Sequence, residues 1–211
     1  MTQTIFTIGH STHPFDEFLQ LLAKSKISVV ADLRSRPFSR FSPQFNQELL
    51  TEGLRSADIG YVFLGRELGA RTDDRSCYVH GKVQYDRLAR TPLFRQGLDR
   101  LRSGIPKYRI AIMCAEKDPV TCHRMILVCR ELKCQPLGIQ HIRPDGSLES
   151  NEEAERRLMQ SLSLPEHDLF TSRDEMIEKA YQLQGDRIAW TESQTNDSID
   201  VPAASDTEVL Q

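Results

Sequence analysis

The chain has 211 residues, 39% of them hydrophobic, and a net charge of −3, which is enough apolar material for one substantial core. No apolar run approaches the ~20 residues needed to cross a bilayer and no charged-then-apolar leader opens the sequence, so a soluble, cytoplasmic protein without a membrane partner is expected. The five cysteines, Cys77, Cys114, Cys122, Cys129 and Cys134, are odd in number and lack a disulfide-framework spacing, which suits a reducing compartment.

The first expected element is a strand over residues 4–8, ending at Gly9-His10-Ser11-Thr12-His13-Pro14. A helix follows from Pro14, with Phe15, Phe18, Leu19 and Leu22 on one face. Residues 27–31 read as a second strand that terminates in Asp32 and Arg34. Residues 34–43 form a loop in which Phe38 and Phe41 are interleaved with arginines, a pattern that serves either to stack nucleobases or to clamp the loop onto the body. A helix over 46–57 leads to a strand over 61–64. The polar stretch 65–90 has few periodic signals and is too long for an inert connection. Thr91-Pro92 opens a helix through about residue 102.

The stretch from Arg109 to Arg124 concentrates reactive side chains. Residues 110–113 are uninterruptedly apolar and read as a buried strand. Thr121 is the expected N-cap of a helix carrying Met125, Ile126, Val128, Cys129 and Leu132, which places Cys122, His123 and Arg124 in its first turn. Free backbone N–H groups there favour an anion and lower a thiol's pKa. A strand over 135–142 and a helix over 152–162 follow.

The alternation of strands and helices predicts an α/β fold: a single three-layer domain with a mostly parallel sheet of about five strands and helices on both faces. The expected division is an α/β domain over 1–164, a helical extension over 165–190 and an acidic tail over 191–211. Residues 1–140 carry 21 Lys and Arg against 14 Asp and Glu, while residues 141–211 carry 6 against 16, so a basic body is joined to an acidic end. Fifteen of the 21 cations are Arg, the side chain suited to bidentate phosphate recognition.

Each chemically loaded segment follows a strand, and loops at the carboxyl ends of parallel strands converge. His10, Asp32, Arg34, Glu116, Cys122 and Arg124 are therefore expected on one concave surface. Cys122 is the candidate nucleophile or an essential polar contact, and Cys114 a weaker nucleophile that ends an apolar strand. Glu116 is the candidate acid/base, His10 a proton-transfer group, and Asp32 a carboxylate that either reacts or pairs with arginine. Ser11, Arg34, Arg36, Arg71, His123 and Arg124 are expected to bind substrate. No metal is expected, because Cys114 and Cys122 are separated by seven residues and should lie too far apart or point wrongly for tetrahedral ligation. No cofactor is expected either, since there is no Walker loop and no G-x-G-x-x-G.

Thr7-Ile8-Gly9-His10-Ser11, then Asp32-Leu33-Arg34-Ser35-Arg36-Pro37, then Cys114-Ala115-Glu116 followed by Cys122-His123-Arg124 resemble, in that order, the motifs of the DUF488 family. The resemblance covers roughly residues 4–160, and Leu68-Gly69-Ala70-Arg71 stands where the family's Leu-Gly-Gly-Arg is found. It marks these residues as a site without naming a reaction. The expected function is an enzyme acting on a phosphate-bearing small molecule or nucleic acid; the alternative is a nucleic-acid-binding module that uses the same arginines without turnover.

Overall fold

Five parallel strands run through the centre of the molecule in the order β3 (Gly60–Phe63), β2 (Val29–Asp32), β6 (Ile110–Cys114), β1 (Gln3–Gly9) and β7 (Leu137–Ile142), and a sixth, β8 (Leu148–Ser150), joins β7 antiparallel at one edge. This computed structural model describes residues 3–133, 137–165 and 171–192. Cys134, the first two residues of the expected strand over 135–142, and all but the first two residues of the expected acidic tail lie outside the described residues. In chain order the elements are β1 (Gln3–Gly9), α1 (Phe15–Lys24), β2 (Val29–Asp32), α2 (Gln47–Ser56), β3 (Gly60–Phe63), α3 (Gly65–Leu68), β4 (Tyr78–Val79), β5 (Lys82–Val83), α4 (Tyr85–Leu88) and α5 (Pro92–Gly104). They continue with β6 (Ile110–Cys114), a π-helical stretch Arg124–Cys129 running into α6 (Arg130–Leu132), β7 (Leu137–Ile142), β8 (Leu148–Ser150), α7 (Asn151–Ser161) and α8 (Arg173–Ile188).

The sheet is covered on both sides, which is why its central strands are almost wholly apolar. Along β6, Ile110 and Ile112 enter a core with α5, the π-helical stretch, α7 and α8, while Ala111 and Met113 face Phe18 and Leu22 of α1 and Leu50 and Leu54 of α2. The same alternation on β1 sends Phe6 and Ile8 towards α1, with Ile5 on the opposite side.

The structure adds β8, a three-residue edge strand whose Leu-Glu-Ser has no periodicity to read. The polar stretch after β3 holds α3, a β4–β5 hairpin and α4. Its Leu68, Cys77, Val83, Tyr85 and Leu88 all reach the core. The hairpin turns through His80 and Gly81, both at positive φ (49° and 73°), the geometry that matches strand twist in a two-residue connection. Thr91 caps α5 by accepting from the Phe94 N–H, with Pro92 in the first turn, as its sequence predicts.

The helix after β6 starts later than expected. Pro119–Thr121 is a separate 3₁₀ turn capped by Asp118, which accepts from the Val120 N–H. Cys122 is extended (φ −128°, ψ 140°), and the helical turns begin at His123. Cys122, not Thr121, stands at their N-terminal end: its carbonyl accepts from the Met125 and Ile126 N–H groups and its Sγ accepts from the Arg124 N–H at 3.4 Å.

Candidate active site

The carboxyl ends of β1, β2 and β6 are laced together by backbone bonds. The His10 N–H donates to Cys114 O, the Ser11 N–H to Ala115 O, and the Leu33 N–H to Met113 O. The first of these loops can approach the third only because residue 9 is glycine: a Cβ there would lie 1.9 Å from Glu116 O. Gly65 does the same between the second and fourth loops, where a Cβ would lie 2.0 Å from Arg34 O. The four loops therefore converge on one edge of the sheet, and a cavity of about 280 Å³ opens among those after β2, β3 and β6.

Cys114, Glu116 and His123 line that cavity, together with Arg34, Arg36, Arg71, Tyr85, Ile188 and Trp190. Cys114 and Glu116 come together because residues two apart on an extended segment share a side. Cys114 donates to Glu116 Oε2 at 2.8 Å and Cys122 donates to the same oxygen at 3.0 Å. His123 Nδ1 lies 3.5 Å from Cys114 Sγ and 3.9 Å from Cys122 Sγ, and its Nε2 lies 3.3 Å from Leu33 O. The expectation that the two cysteines lie far apart does not hold. The 3₁₀ turn folds the seven intervening residues back, so that both sulfurs meet one carboxylate oxygen.

Burial opposes ionisation of both thiols, but the outcomes diverge. For Cys114, burial and the neighbouring Cys122 sulfur push the pKa well up. For Cys122, the hydrogen bond from Cys114, Arg124 and His123 outweigh burial and hold it well below the ordinary thiol value. His123 is raised, because the Cys122 sulfur and Glu116 overcome its burial. Glu116 is raised chiefly by desolvation, then by Cys122.

The cavity does not present every residue expected on it. Both cysteines are buried, and Cys114 lines the cavity whereas Cys122 does not. Arg124 is fully buried and serves as an internal bracket, not as an anion clamp. It donates to Glu116 O at 2.6 Å and Lys117 O at 3.1 Å, holding the loop after β6, and to Thr7 Oγ1 at 3.3 Å. Arg34 reaches the cavity wall, but its charge is matched by Asp32, which takes its Nε at 2.9 Å and its Nη2 at 2.6 Å. Asp32 also accepts from Tyr61 Oη at 3.0 Å and is fully buried, so it is a structural anchor and has no access to a ligand.

His10 is also committed inward. Its Nδ1 donates to Ser11 O at 2.9 Å, its Nε2 faces Arg34 Nη1 at 3.2 Å, and its ring stacks on Phe45 at 4.3 Å. Burial first and Arg34 second lower its pKa to about 4, so it is neutral at physiological pH and positions Arg34. Ser11 turns through positive φ (48°) and lies outside the cavity lining.

Two arginines remain outward. Arg36 and Arg71 both line the cavity, and among the described residues neither is paired with a carboxylate. Burial first, and then the charge of Arg36, lower the Arg71 pKa. Arg71 lies over the Trp190 ring at 5.0 Å, and its N–H donates to Ser35 Oγ. Ala70 has no positive φ, so alanine serves there without strain. Trp190 and Tyr61 escaped sequence reasoning. The first is delivered by the chain after α8, and the second has no local motif. Trp190 also carries a shielded Nε1 donor without an acceptor among the described residues.

Behind the site a buried polar chain runs from Arg124 through Thr7 Oγ1 to His141 Nδ1 (2.8 Å), from His141 Nε2 to Asn151 Oδ1 (3.3 Å), and from Asn151 Nδ2 to Glu155 (2.9 Å). Tyr181 of α8 and Lys133 also donate to Glu155. The loop after β6 is thereby tied to α7 and α8.

A family model described as Domain of unknown function DUF488 matches residues 14–130, which takes in Asp32, Arg34, Arg36, Arg71 and the whole Cys114–Arg124 segment. No curated protein and no solved structure matches the chain.

Proposed function

The chain belongs to the DUF488 family, a domain of unknown function, and from its site we propose that it is a cytoplasmic enzyme acting on a phosphate-bearing substrate. The observation that carries this reading is the pair Arg36 and Arg71, uncompensated by any described carboxylate at a cavity whose wall also carries Cys114, Glu116 and His123. Two guanidiniums that line one cavity without a described carboxylate partner are stabilised by an anion between them, and planar forked donors match phosphate oxygens. The cavity is at the small end of ligand sites. It suits a phosphate group with a modest appendage, or the end of a larger molecule. With the anion on the arginines, the adjoining part of the substrate lies against the Glu116 carboxylate, the acid/base of the site, which the Cys114 thiol holds by a hydrogen bond.

Calorimetric titration with inorganic phosphate tests the reading. Saturable binding is expected, and Arg71→Ala should weaken it about tenfold or more, the worth of a charge-assisted hydrogen bond of about 1.5–3 kcal/mol. Absence of saturable phosphate binding, together with no turnover across a panel of phosphate monoesters and nucleotides, would refute it.

One observation favours a second reading. Phe38 and Phe41 are 68% and 97% exposed in the loop that carries Arg36 and Arg40, so they are not a clamp. Exposed aromatic rings among arginines suit stacking on single-stranded nucleic acid. On that reading Phe41→Ala weakens binding of a short oligonucleotide by about 1–3 kcal/mol, without any catalysed change in the oligonucleotide.

A further inference from the structure

Cys114 Sγ, a Glu116 carboxylate oxygen, Cys122 Sγ and a His123 ring nitrogen all lie within 4.8 Å of one another. Each of these contacts is of hydrogen-bond length, and together they gather two thiols, an imidazole and a carboxylate around one point. With Zn–S of about 2.3 Å and Zn–N of about 2.0–2.1 Å, tetrahedral ligation sets sulfur and nitrogen about 3.6 Å apart. His123 Nδ1 stands at 3.5 Å and 3.9 Å from the two sulfurs. Glu116 Oε2, at 2.8 Å and 3.0 Å from them, is closer than the about 3.5 Å of co-ligands. A carboxylate on an exposed residue reaches that separation by a small outward turn.

Two groups outside the cluster prepare it for a cation. The His123 Nε2–H is directed at Leu33 O, which fixes the tautomer that leaves an Nδ1 lone pair facing the sulfurs. The Arg124 N–H is directed at Cys122 Sγ, a contact that stabilises a thiolate. Nearly all of the cluster is shielded, with Cys114, Cys122 and His123 buried and Glu116 alone exposed.

We propose that these residues form a zinc site, with Cys114, Cys122 and His123 as fixed ligands and Glu116 as a fourth ligand that a substrate displaces. Two soft thiolates, one imidazole and one carboxylate form a donor set suited to Zn²⁺. Binding displaces to solvent the protons held among the two thiols and His123, and no electron moves. The displaceable ligand faces the cavity with Arg36 and Arg71, so the ion would polarise a phosphoryl oxygen or acidify a bound water there. That catalytic use rests on the phosphate reading; the metal site itself rests on the cluster alone and is measured without substrate.

The full chain, purified under reducing conditions without chelators, is expected to contain about one zinc per molecule by elemental analysis. Cys114→Ser and Cys122→Ser should each lose it, while Cys77→Ala, on a different segment, should keep it. Because either serine substitution also disturbs a buried position, wild-type protein stripped of metal and reduced is titrated with Co²⁺ as well. Thiolate–cobalt charge-transfer and tetrahedral d–d bands saturating at about one equivalent are expected. Wild-type protein with negligible zinc and no thiolate–cobalt band, or a folded Cys122→Ser variant that retains its zinc, would overturn the assignment. Failure of phosphate binding in protein that holds zinc would refute the substrate reading and leave the site standing.

Discussion

Asp32→Asn is the sharpest test of how the site is anchored. Asp32 and Arg34 are 0% and 6% exposed, and the carboxylate accepts from the Arg34 backbone N–H at 3.0 Å, from Nε and Nη2 of the same guanidinium, and from Tyr61 Oη. Asparagine keeps the shape but turns an N–H₂ group towards donors and leaves the guanidinium without its counter-charge. Breaking one partner of a buried pair costs about 3–5 kcal/mol, a large share of the about 5–15 kcal/mol that holds a domain together. Urea unfolding should report this as a lower midpoint with an unchanged slope. Salt should change the loss little, since the pair is shielded from mobile ions. Arg34→Met alone strands the carboxylate instead. The double variant Asp32→Asn/Arg34→Met removes both charges and should recover about 2–3 kcal/mol relative to the sum of the single losses. A loss below about 1 kcal/mol for Asp32→Asn, or simple additivity in the double variant, would show that the pair is solvated and that this reasoning fails.

Further outcomes follow from other contacts. Gly9→Ala puts a Cβ against the Glu116 carbonyl, a backbone atom that cannot step aside cheaply; a loss of about 1–3 kcal/mol is expected in the same urea assay, and an unchanged midpoint would mean that the two loops do not meet. His141, whose pKa is lowered to about 4 by burial and then by Arg124, binds its proton more readily in the unfolded chain. Its share of stability is therefore intact above pH 6.5 and is lost as the pH falls towards 4. It amounts to about 3 kcal/mol, and unfolding curves for His141→Gln should show an acid limb flatter by that order, with equal limbs counting against a buried neutral imidazole. Ser150→Ala removes the capping box of α7, in which Ser150 and Glu153 bond each other's backbone N–H; a loss of about 1 kcal/mol in thermal or urea unfolding is expected, with zinc content unchanged.

Much of the architecture is settled by local pattern. Residues 110–113 must be buried on both sides because no polar residue interrupts them, and that burial on both faces implies a parallel sheet with its loops gathered at one edge. Cys114 and Glu116 fall on one side of an extended segment for the same local reason. What sequence alone leaves undecided is how each charged or reactive group is spent. Arg34, Arg36, Arg71 and Arg124 read alike in sequence, each a cation beside a strand end or loop. Arg34 and Arg124 turn inward because Asp32 and the carbonyls of residues 116 and 117 wait there, whereas Arg36 and Arg71 meet no described carboxylate and turn to the cavity. The proximity of Cys122 to Cys114 depends on a 3₁₀ turn that doubles the chain back, and the closing of the cavity on a tryptophan more than sixty residues further on. A hydrophobic period is set by neighbours along the chain and can be read from them. The partner of a guanidinium, a thiol or an indole is supplied by whichever distant element packs against it, and only the tertiary structure decides that.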